Sequence, residues 1–257
     1  MSTLAILQAR VSSTRLPGKV LAPILGEPMI ARQVERIRRA SSIDDLVIAT
    51  STDRSDDPLA AWAEAEGLTV YRGSLDDVLG RFVGAIAAYG PDTVVRLTAD
   101  CPLASPSVID AVIDHFTASD VDYCSNTLTP TFPDGLDVEV VRARVLNEIA
   151  EISTDRAERE HVTLGVYRRP EQFTLANYAG ETDLSSLRWT VDTADDLAFV
   201  RRVYEALYEA TPGFETGDIL DLIKRTPGLR RTTADGIRNA ALRGLDTGMM
   251  DQLTDRS

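Results

Sequence analysis

Short apolar runs alternate with longer amphipathic stretches along most of the chain. The apolar runs are rich in Val, Ile and Leu and are bounded by polar or glycine-containing segments, which is typical of buried strands. We predict strands at residues 4–8, 46–50, 69–71, 93–97, 121–125, 137–140, 173–178 and 187–191.

The stretches between these runs have the spacing of helices, and some carry helix-start signals. Ser105 before Pro106 fits an N-cap followed by a proline in the first turn, and Asp195 and Asp196 suit a helix N-terminus. The predicted helices span residues 29–40, 58–66, 76–89, 106–116, 142–152, 195–208 and 216–225.

Strands that alternate with helices predict an α/β fold with a mostly parallel central sheet covered by helices. From about Phe132 the spacing becomes irregular, which indicates extra strands or a small lid. We therefore predict one domain over residues 1–211, with an insertion at about 132–180. Residues 212–257 form a C-terminal helical segment and a polar tail. Ligands of such sheets bind at the carboxyl ends of the strands.

Composition narrows the classes of partner. The chain has 257 residues, 44% of them hydrophobic, and a net charge of −13, so neither nucleic acid nor an anionic membrane is expected as a general partner. Cys101 and Cys124 are interpreted as reduced thiols rather than a disulfide framework. No signal-peptide pattern or membrane-length apolar segment occurs, and we expect a cytoplasmic protein.

Three cations follow the first strand of this acidic chain. Residues 6–21, ILQARVSSTRLPGKVL, place Arg10, Arg15 and Lys19 around Pro17 and Gly18, and Lys19 is one of only two lysines. The loop has neither the Walker A spacing nor the G-x-G-x-x-G fingerprint. Such charges can be merely solvated, but a glycine-containing loop at a strand end with clustered cations favours phosphate binding.

The segment QARVSSTRLPGKVL resembles the signature of the cytidylyltransferases that make CMP-activated sugar acids, the CMP-Kdo and CMP-neuraminate synthetases. It is particularly similar to their spore-coat polysaccharide biosynthesis protein F-like relatives, and the resemblance runs from Ile6 to about Phe199. It implies a nucleotide-diphospho-sugar transferase fold of GT-A-like, Rossmann-like type, CTP as substrate and a homodimer.

The same resemblance implies roles for the loop residues. Arg10, Arg15 and Lys19 would hold the triphosphate of CTP, with Gly18 in the loop that wraps it and Ala9 near the base.

Two aspartates follow predicted strands. Asp100 follows the strand at 93–97 and Asp192 the strand at 187–191, so the two can converge on one Mg²⁺, although Asp100 alone could be a turn residue. The resemblance implies that both are metal ligands, since they match the aspartates of the G-D-x-P-L-like and V-D-T-x-x-D-L-like segments. TADCPL here departs from the Gln-Gly-Asp-Glu-Pro-Leu of the Kdo enzymes.

Further candidates come mainly from the resemblance, because the residues alone favour a turn at 133–135 and a surface histidine at 161. The resemblance implies contacts to the base from Arg72 and Ser74. Candidates for the acceptor site are Asn126, Asp134, Glu139 and His161, and arginines that could meet an anionic acceptor are Arg142, Arg144, Arg159 and Arg188.

The leading hypothesis is a Mg²⁺-dependent nucleotidyltransferase that couples CTP to an acidic sugar or similar anion and releases pyrophosphate. Lys19 and Arg10 would stabilise the developing charge, and Asp100 and Asp192 would hold the metal. A glycosyltransferase of related fold is an alternative, for which the Asp-x-Asp pair at 120–122 lies at the wrong end of its strand. A catalytically silent binding subunit is a third. The acceptor stays open.

Overall fold

A computed structural model describes residues 2–236. Within that range, seven strands form one sheet in the order β5-β4-β1-β6-β8-β7-β9, and a two-stranded hairpin pairs β2 with β3. The strands are β1 (Thr3–Gln8), β2 (Pro23–Ile24), β3 (Glu27–Pro28), β4 (Asp45–Ser51), β5 (Thr69–Gly73), β6 (Thr93–Thr98), β7 (Tyr123–Ser125), β8 (Glu139–Arg142) and β9 (Leu175–Asn177).

The predicted mostly parallel sheet is confirmed. β1 pairs in parallel with β4 and β6, so Ile6 lies between Val47 and Arg96, and β4 pairs in parallel with β5. β8 runs antiparallel to both β6 and β7, and β7 is parallel to β9. The carboxyl ends of β1, β4, β5 and β6 therefore share one edge, where a ligand is expected.

Helices cover both faces of the sheet. Ala5 and Leu7 of β1 pack into one apolar cluster and Leu4 and Ile6 into another, because successive side chains of a strand point to opposite faces. The helices are α1 (Met29–Ile37), α2 (Asp57–Ala65), α3 (Val78–Tyr89), α4 (Pro106–Ser119), α5 (Ala143–Ile152), α6 (Arg156–Glu160), α7 (Leu164–Tyr167), α8 (Ala194–Leu207) and α9 (Thr216–Arg225).

The helix-start signals are confirmed. The Ser105 hydroxyl accepts from the Val108 amide at the start of α4, and Asp196 forms a reciprocal capping box with Thr193 at the start of α8. Sequence reasoning did not predict the β2–β3 hairpin or the short helices α6 and α7.

The predicted strand at 187–191 is wrong. Its apolar residues alternate as in a strand and are buried. Its backbone amides, however, donate to carbonyls of several different segments. The Arg188 amide donates to Arg231, the Trp189 and Thr190 amides donate to Asp134, and the Val191 amide donates to Asp100. Isolated bridges form in place of a continuous ladder. The strand predicted at 137–140 is displaced to Glu139–Arg142, and the helix predicted at 29–40 ends at Ile37.

The predicted helix at 216–225 is confirmed, and its segment packs on the sheet-bearing part of the chain. Arg36 of α1 donates to the Phe214 carbonyl at 2.9 Å and lies 4.3 Å from the centroid of its ring. Ser105 donates to Glu215 at 2.7 Å. The end of the predicted polar tail, residues 237–257, lies outside the described residues. Among residues 2–236, no helix has the length and apolarity needed to cross a membrane.

A buried carboxylate holds α6 to α7. Glu158 accepts hydrogen bonds from Ser153 Oγ at 2.6 Å and from Arg169 Nη1 at 3.0 Å, and Arg168 lies at 3.4 Å. Burial raises the pKa of Glu158, but the hydrogen bonds from Arg169 and Ser153 lower it by more. The pKa of Glu158 is therefore below its ordinary value of 4.5.

Glu158→Gln is expected to lower the free energy of unfolding by about 2 kcal/mol at pH 7. Because the pKa of Glu158 is lower in the folded state, the wild type is more stable than Glu158→Gln above the ordinary value of 4.5. This difference in free energy of unfolding is lost as the pH falls through the folded-state pKa. Urea unfolding at pH 7 and below pH 4 measures this, with the exposed Glu171→Gln as control. A difference that does not change with pH would contradict the assignment.

Candidate active site

The loop after β1 turns back on itself and carries Lys19 into the protein. Gly18 adopts φ 74°, a left-handed conformation that disfavours other residues, and its amide donates to the Val11 carbonyl at 2.9 Å. A short 3₁₀ turn, Lys19–Leu21, follows directly. Lys19 is only 8% exposed as a result.

The Lys19 ammonium joins two distant parts of the chain. Its Nζ donates to the Val191 carbonyl at 2.6 Å, to Asp192 Oδ1 at 3.1 Å and to Asp100 Oδ2 at 3.3 Å. One cation therefore contacts both aspartates, which lie at the same edge of the sheet.

Asp192 is held from two sides. Its Oδ1 also contacts Arg15 Nη2 at 2.7 Å, while its Oδ2 accepts from Arg188 Nη2 at 2.8 Å. Arg188 is only 2% exposed and also binds Asp134 at 2.9 Å and Asp196 at 3.3 Å. Burial lowers the pKa of Arg188, but its bonds to Asp196 and Asp192 raise it above the ordinary value. Arg188 therefore fixes the orientation of the Asp192 carboxylate.

Asp100 is held in its charged form. Thr98 Oγ1 donates to its Oδ1 at 2.7 Å, and Lys19 approaches its other oxygen. Burial raises the pKa of Asp100, but the Lys19 charge and the Thr98 hydrogen bond lower it below its ordinary value. The carboxylate is ionised at neutral pH and suited to bind a cation.

A cavity of about 220 Å³, here called the first cavity, opens between the loop and these carboxylates. Arg10, Arg15 and Lys19 line it together with Asp100 and Asp192. Cations and carboxylates at one opening suit a polyanion bound together with a metal ion.

The donor set fits a hard cation such as Mg²⁺. No group of three or more His, Cys, Asp or Glu side chains that could hold a metal occurs among residues 2–236. Mg²⁺ commonly uses one or two carboxylates, with phosphate oxygens and water completing its octahedron. Asp100 and Asp192 can supply such a pair, whereas a structural zinc site needs more protein ligands.

A second cavity, of about 160 Å³, adjoins the first and shares Gln8, Ala9 and Arg10 with it. Arg81 lies in its wall and is only 2% exposed. Arg81 Nε and Nη1 meet no hydrogen-bond acceptor among the described residues. Sequence reasoning missed Arg81, although an arginine on the apolar face of α3, beside Val78 and Phe82, was a signal that could have identified it.

The structure does not bring the four predicted acceptor residues together at one cavity. Asn126 is fully buried, donates to the Leu136 carbonyl at 2.8 Å and accepts from the Val138 amide at 2.9 Å. Asp134 pairs with Arg188, and Glu139 contacts Arg96 and Thr163. His161 lines the second cavity. Burial lowers the pKa of His161, which favours its neutral form.

The predicted base contacts lie at a different place. Arg72 Nε donates to the Ser51 carbonyl at 2.8 Å and Nη2 to Asp57 at 2.6 Å, while the Ser74 hydroxyl accepts from the Asp77 amide at 3.1 Å. Neither Arg72 nor Ser74 lines either cavity.

The arginines predicted to meet an acceptor anion already have carboxylate partners. Besides Arg188, these are Arg142 with Asp120, Arg144 with Asp122, and Arg159 with Asp77 at 2.6 Å. The Asp-x-Asp pair at 120–122, the mark of the glycosyltransferase alternative, is thus engaged by Arg142 and Arg144 at the start of β7.

The chain is similar in sequence to proteins of a known family. A family model described as cytidylyltransferase matches residues 4–209. The spore coat polysaccharide biosynthesis protein SpsF of Bacillus subtilis is 36% identical over 242 residues, which cover 87% of this chain and 95% of SpsF.

The solved structures that resemble this chain include a cytidylyltransferase. A cytidylyltransferase from Leptospira borgpetersenii superposes with a TM-score of 0.84 at 30% identity, over 89% of this chain and 96% of that one. A CMP:2-keto-3-deoxy-manno-octonic acid synthetase complexed with CTP has a TM-score of 0.61 at 17% identity, over 80% of this chain and 99% of that one, a likeness of fold alone.

Proposed function

The chain belongs to the cytidylyltransferase family, and from that premise we propose that it transfers CMP from CTP to an anionic, sugar-like acceptor and releases pyrophosphate. The observation that carries the proposal is the Lys19 ammonium, which joins Asp100 and Asp192 beneath a loop bearing Arg10 and Arg15. The relatives' names, which refer to spore coat polysaccharide and to an octonic acid, support a role in making polysaccharide precursors.

Entry of the triphosphate would exchange the partners of these charges. Lys19 and Arg15 now neutralise Asp192, and phosphate oxygens offer them a stronger negative charge. If the cations turned to the phosphates, the carboxylates of Asp192 and Asp100 would be free to hold Mg²⁺. The bound metal would neutralise phosphate charge and orient the α-phosphate.

The protein's part in the transfer is electrostatic. An acceptor oxygen would attack the α-phosphorus of CTP in line with the leaving pyrophosphate. Lys19 and Arg10 would stabilise the charge that develops on the phosphates, so no covalent enzyme intermediate is needed. Gly18 and Lys19 would bring the loop backbone close to the phosphates, and Ala9 would lie near the base.

The acceptor side is proposed at a lower level of detail. Of the four residues that the resemblance implies, His161 lines the second cavity. Asn126, Asp134 and Glu139 are bonded to other residues of the protein, and their roles toward the acceptor stay predictions. The assignments of Arg72 and Ser74 to the base, of residues 132–180 to a homodimer contact and of the cytoplasm as the compartment stay predictions.

A pyrophosphate assay tests the proposed function. CTP, UTP, ATP and GTP are each incubated with a panel of acidic sugars, with and without Mg²⁺. We expect pyrophosphate from CTP with at least one acceptor and only when a divalent cation is present. Release of free nucleotide from a preformed sugar nucleotide, without pyrophosphate from any triphosphate, would instead support the glycosyltransferase.

A further inference from the structure

We propose that Arg231, in the segment of residues 226–236, is a positioning residue for the proposed metal ligand Asp192. It acts through Asp196 and Arg188, whose side chains link the two. The proposal rests on the proposed function, because it concerns the same carboxylate. The cytidylyltransferase family model ends at residue 209, so this segment lies beyond the part of the chain that the model matches.

The segment of residues 226–236 runs beside the stretch that precedes the proposed metal ligand. The Arg188 amide donates to the Arg231 carbonyl at 3.1 Å, and the Thr233 amide donates to the Ser186 carbonyl at 2.9 Å. An isolated antiparallel bridge lies between these two hydrogen bonds. The backbone of the segment is therefore attached to the residue whose side chain holds the metal ligand.

Side chains continue this connection. Arg231 Nη2 donates to Asp196 Oδ1 at 3.0 Å, and Arg188 Nη2 donates to Asp196 Oδ2 at 3.3 Å. Asp196 is buried and also accepts from the Asp192 amide at 3.0 Å. The same Arg188 Nη2 donates to Asp192 Oδ2 at 2.8 Å. Asp196 therefore holds Asp192 by its backbone directly and by its carboxylate through Arg188.

Arg231 supplies a cation that this buried cluster needs. Arg188 is buried and faces three carboxylates, those of Asp134, Asp192 and Asp196. One guanidinium does not balance three carboxylates, even though Asp192 has cations on its other oxygen, and an uncompensated buried charge is costly. Arg231 contacts the Oδ1 oxygen of Asp196 and offsets its charge. Arg188 can then keep its bond to Asp192.

The end of the segment also packs on the Arg188 guanidinium. A Cβ at Gly236 would lie 2.9 Å from both Cζ and Nε of Arg188, well inside the separation of about 3.5–4.0 Å that suits two carbon atoms. The guanidinium could not move aside without weakening its ion pairs to three aspartates. Gly236 therefore fits here because it lacks a side chain.

Loss of the Arg231 cation is expected to loosen the Asp192 carboxylate without removing it. Asp196 would lose one partner and draw more of the Arg188 guanidinium to itself, at the expense of the bond to Asp192. A metal ligand whose orientation is less fixed binds its ion more weakly. The effect should therefore fall on the Mg²⁺ requirement and leave the rate with the metal bound nearly unchanged.

The test compares Arg231→Met and Arg231→Lys with wild type and with Arg230→Met, since Arg230 is the exposed neighbour of equal charge. Calorimetry of CTP binding over a series of Mg²⁺ concentrations measures the metal requirement without turnover, and pyrophosphate release gives kcat. For Arg231→Met we expect the Mg²⁺ concentration for half-maximal CTP binding to rise by about 10-fold. Its kcat at saturating Mg²⁺ should stay within a few fold of wild type. Arg231→Lys should recover part of the shift, and Arg230→Met should match wild type.

A glycine pair tests the same contact independently and keeps the test available if Arg231→Met is too unstable to purify. Gly236→Ala should raise the Mg²⁺ requirement in the same direction, because its Cβ would displace the Arg188 guanidinium. Gly228→Ala is the matched control, since a Cβ at Gly228 meets no described atom within 4 Å. Equal Mg²⁺ requirements in the two alanine variants would contradict the proposal.

Thermal unfolding without Mg²⁺ separates positioning from a general stabilising role. Tm is measured for Arg231→Met, Asp192→Asn and the double variant. Asp192→Asn removes a negative charge that loss of Arg231 leaves less balanced, so the fall in Tm of the double variant should be smaller than the sum of the two single falls. Additive falls would mean that Arg231 only attaches its segment, and they would overturn the proposal.

Failure of the proposed function would look different from failure of this inference. If wild type releases no pyrophosphate, yet binds CTP with a Mg²⁺ requirement that Arg231→Met raises, the positioning role survives and the proposed reaction fails. If wild type releases pyrophosphate, and Arg231→Met and Arg230→Met have its Mg²⁺ requirement, the reaction survives and the positioning role fails.

Discussion

Lys19→Ala is expected to reduce pyrophosphate release from CTP by about a thousandfold while the protein stays folded. The Lys19 ammonium, on the loop that follows β1, contacts both Asp100 and Asp192, at 3.3 and 3.1 Å. Without it the phosphates lose a cation at the point where charge develops. Asp100 and Asp192 would also lose the ammonium that now contacts both of them.

Lys224→Ala is the matched control, because Lys224 is the chain's other lysine and its side chain is 74% exposed, with one ion pair to Asp221. We expect wild-type kinetics from Lys224→Ala, with circular dichroism and thermal unfolding confirming that both variants fold. A Lys19→Ala enzyme within a few fold of wild type would contradict the role given to the ammonium.

The parallel half of the sheet could be predicted from the sequence because both of its faces are buried. β1, β4 and β6 are covered on both sides, so their sequences are continuous apolar runs that stand out from the helices between them. The other half could not be placed as well. β7, β8 and β9 have three, four and three residues, and β8 lies between β6 and β7 out of chain order. So short a run carries little periodicity, and its pairing depends on distant residues.

The places of Lys19 and Asp100 at the sheet edge could be predicted because they follow β1 and β6, whereas Asp192 follows a buried segment that is not a strand. The sequence does not show which of these charged side chains form ion pairs with other residues of the folded protein. The sequence offers Arg188 as a residue that could meet an anionic acceptor, yet three aspartates of the protein contact it. Arg81, buried in α3, has two nitrogens without an acceptor among the described residues. That distinction depends on contacts between residues far apart in the chain, which the sequence alone does not show.

Asp192→Asn is expected to abolish the Mg²⁺-dependent part of CTP binding and to lower pyrophosphate release by about a thousandfold. The amide lacks the charge needed to hold a hard cation. Its nitrogen would also face a donor, either Arg188 at 2.8 Å or Lys19 at 3.1 Å, so the side chain would lose its fixed orientation.

The control is Asp195→Asn, which removes an equal charge from an exposed position in the first turn of α8 and should keep both activities. Calorimetric titration of CTP with and without Mg²⁺ separates loss of the metal from loss of phosphate contacts. We expect Asp192→Asn to retain weak, metal-independent CTP binding, because Arg10, Arg15 and Lys19 remain in place. Full Mg²⁺ dependence in Asp192→Asn would show that the metal is held elsewhere. The hydrogen bond from Arg188 to Asp192 would then serve no metal site.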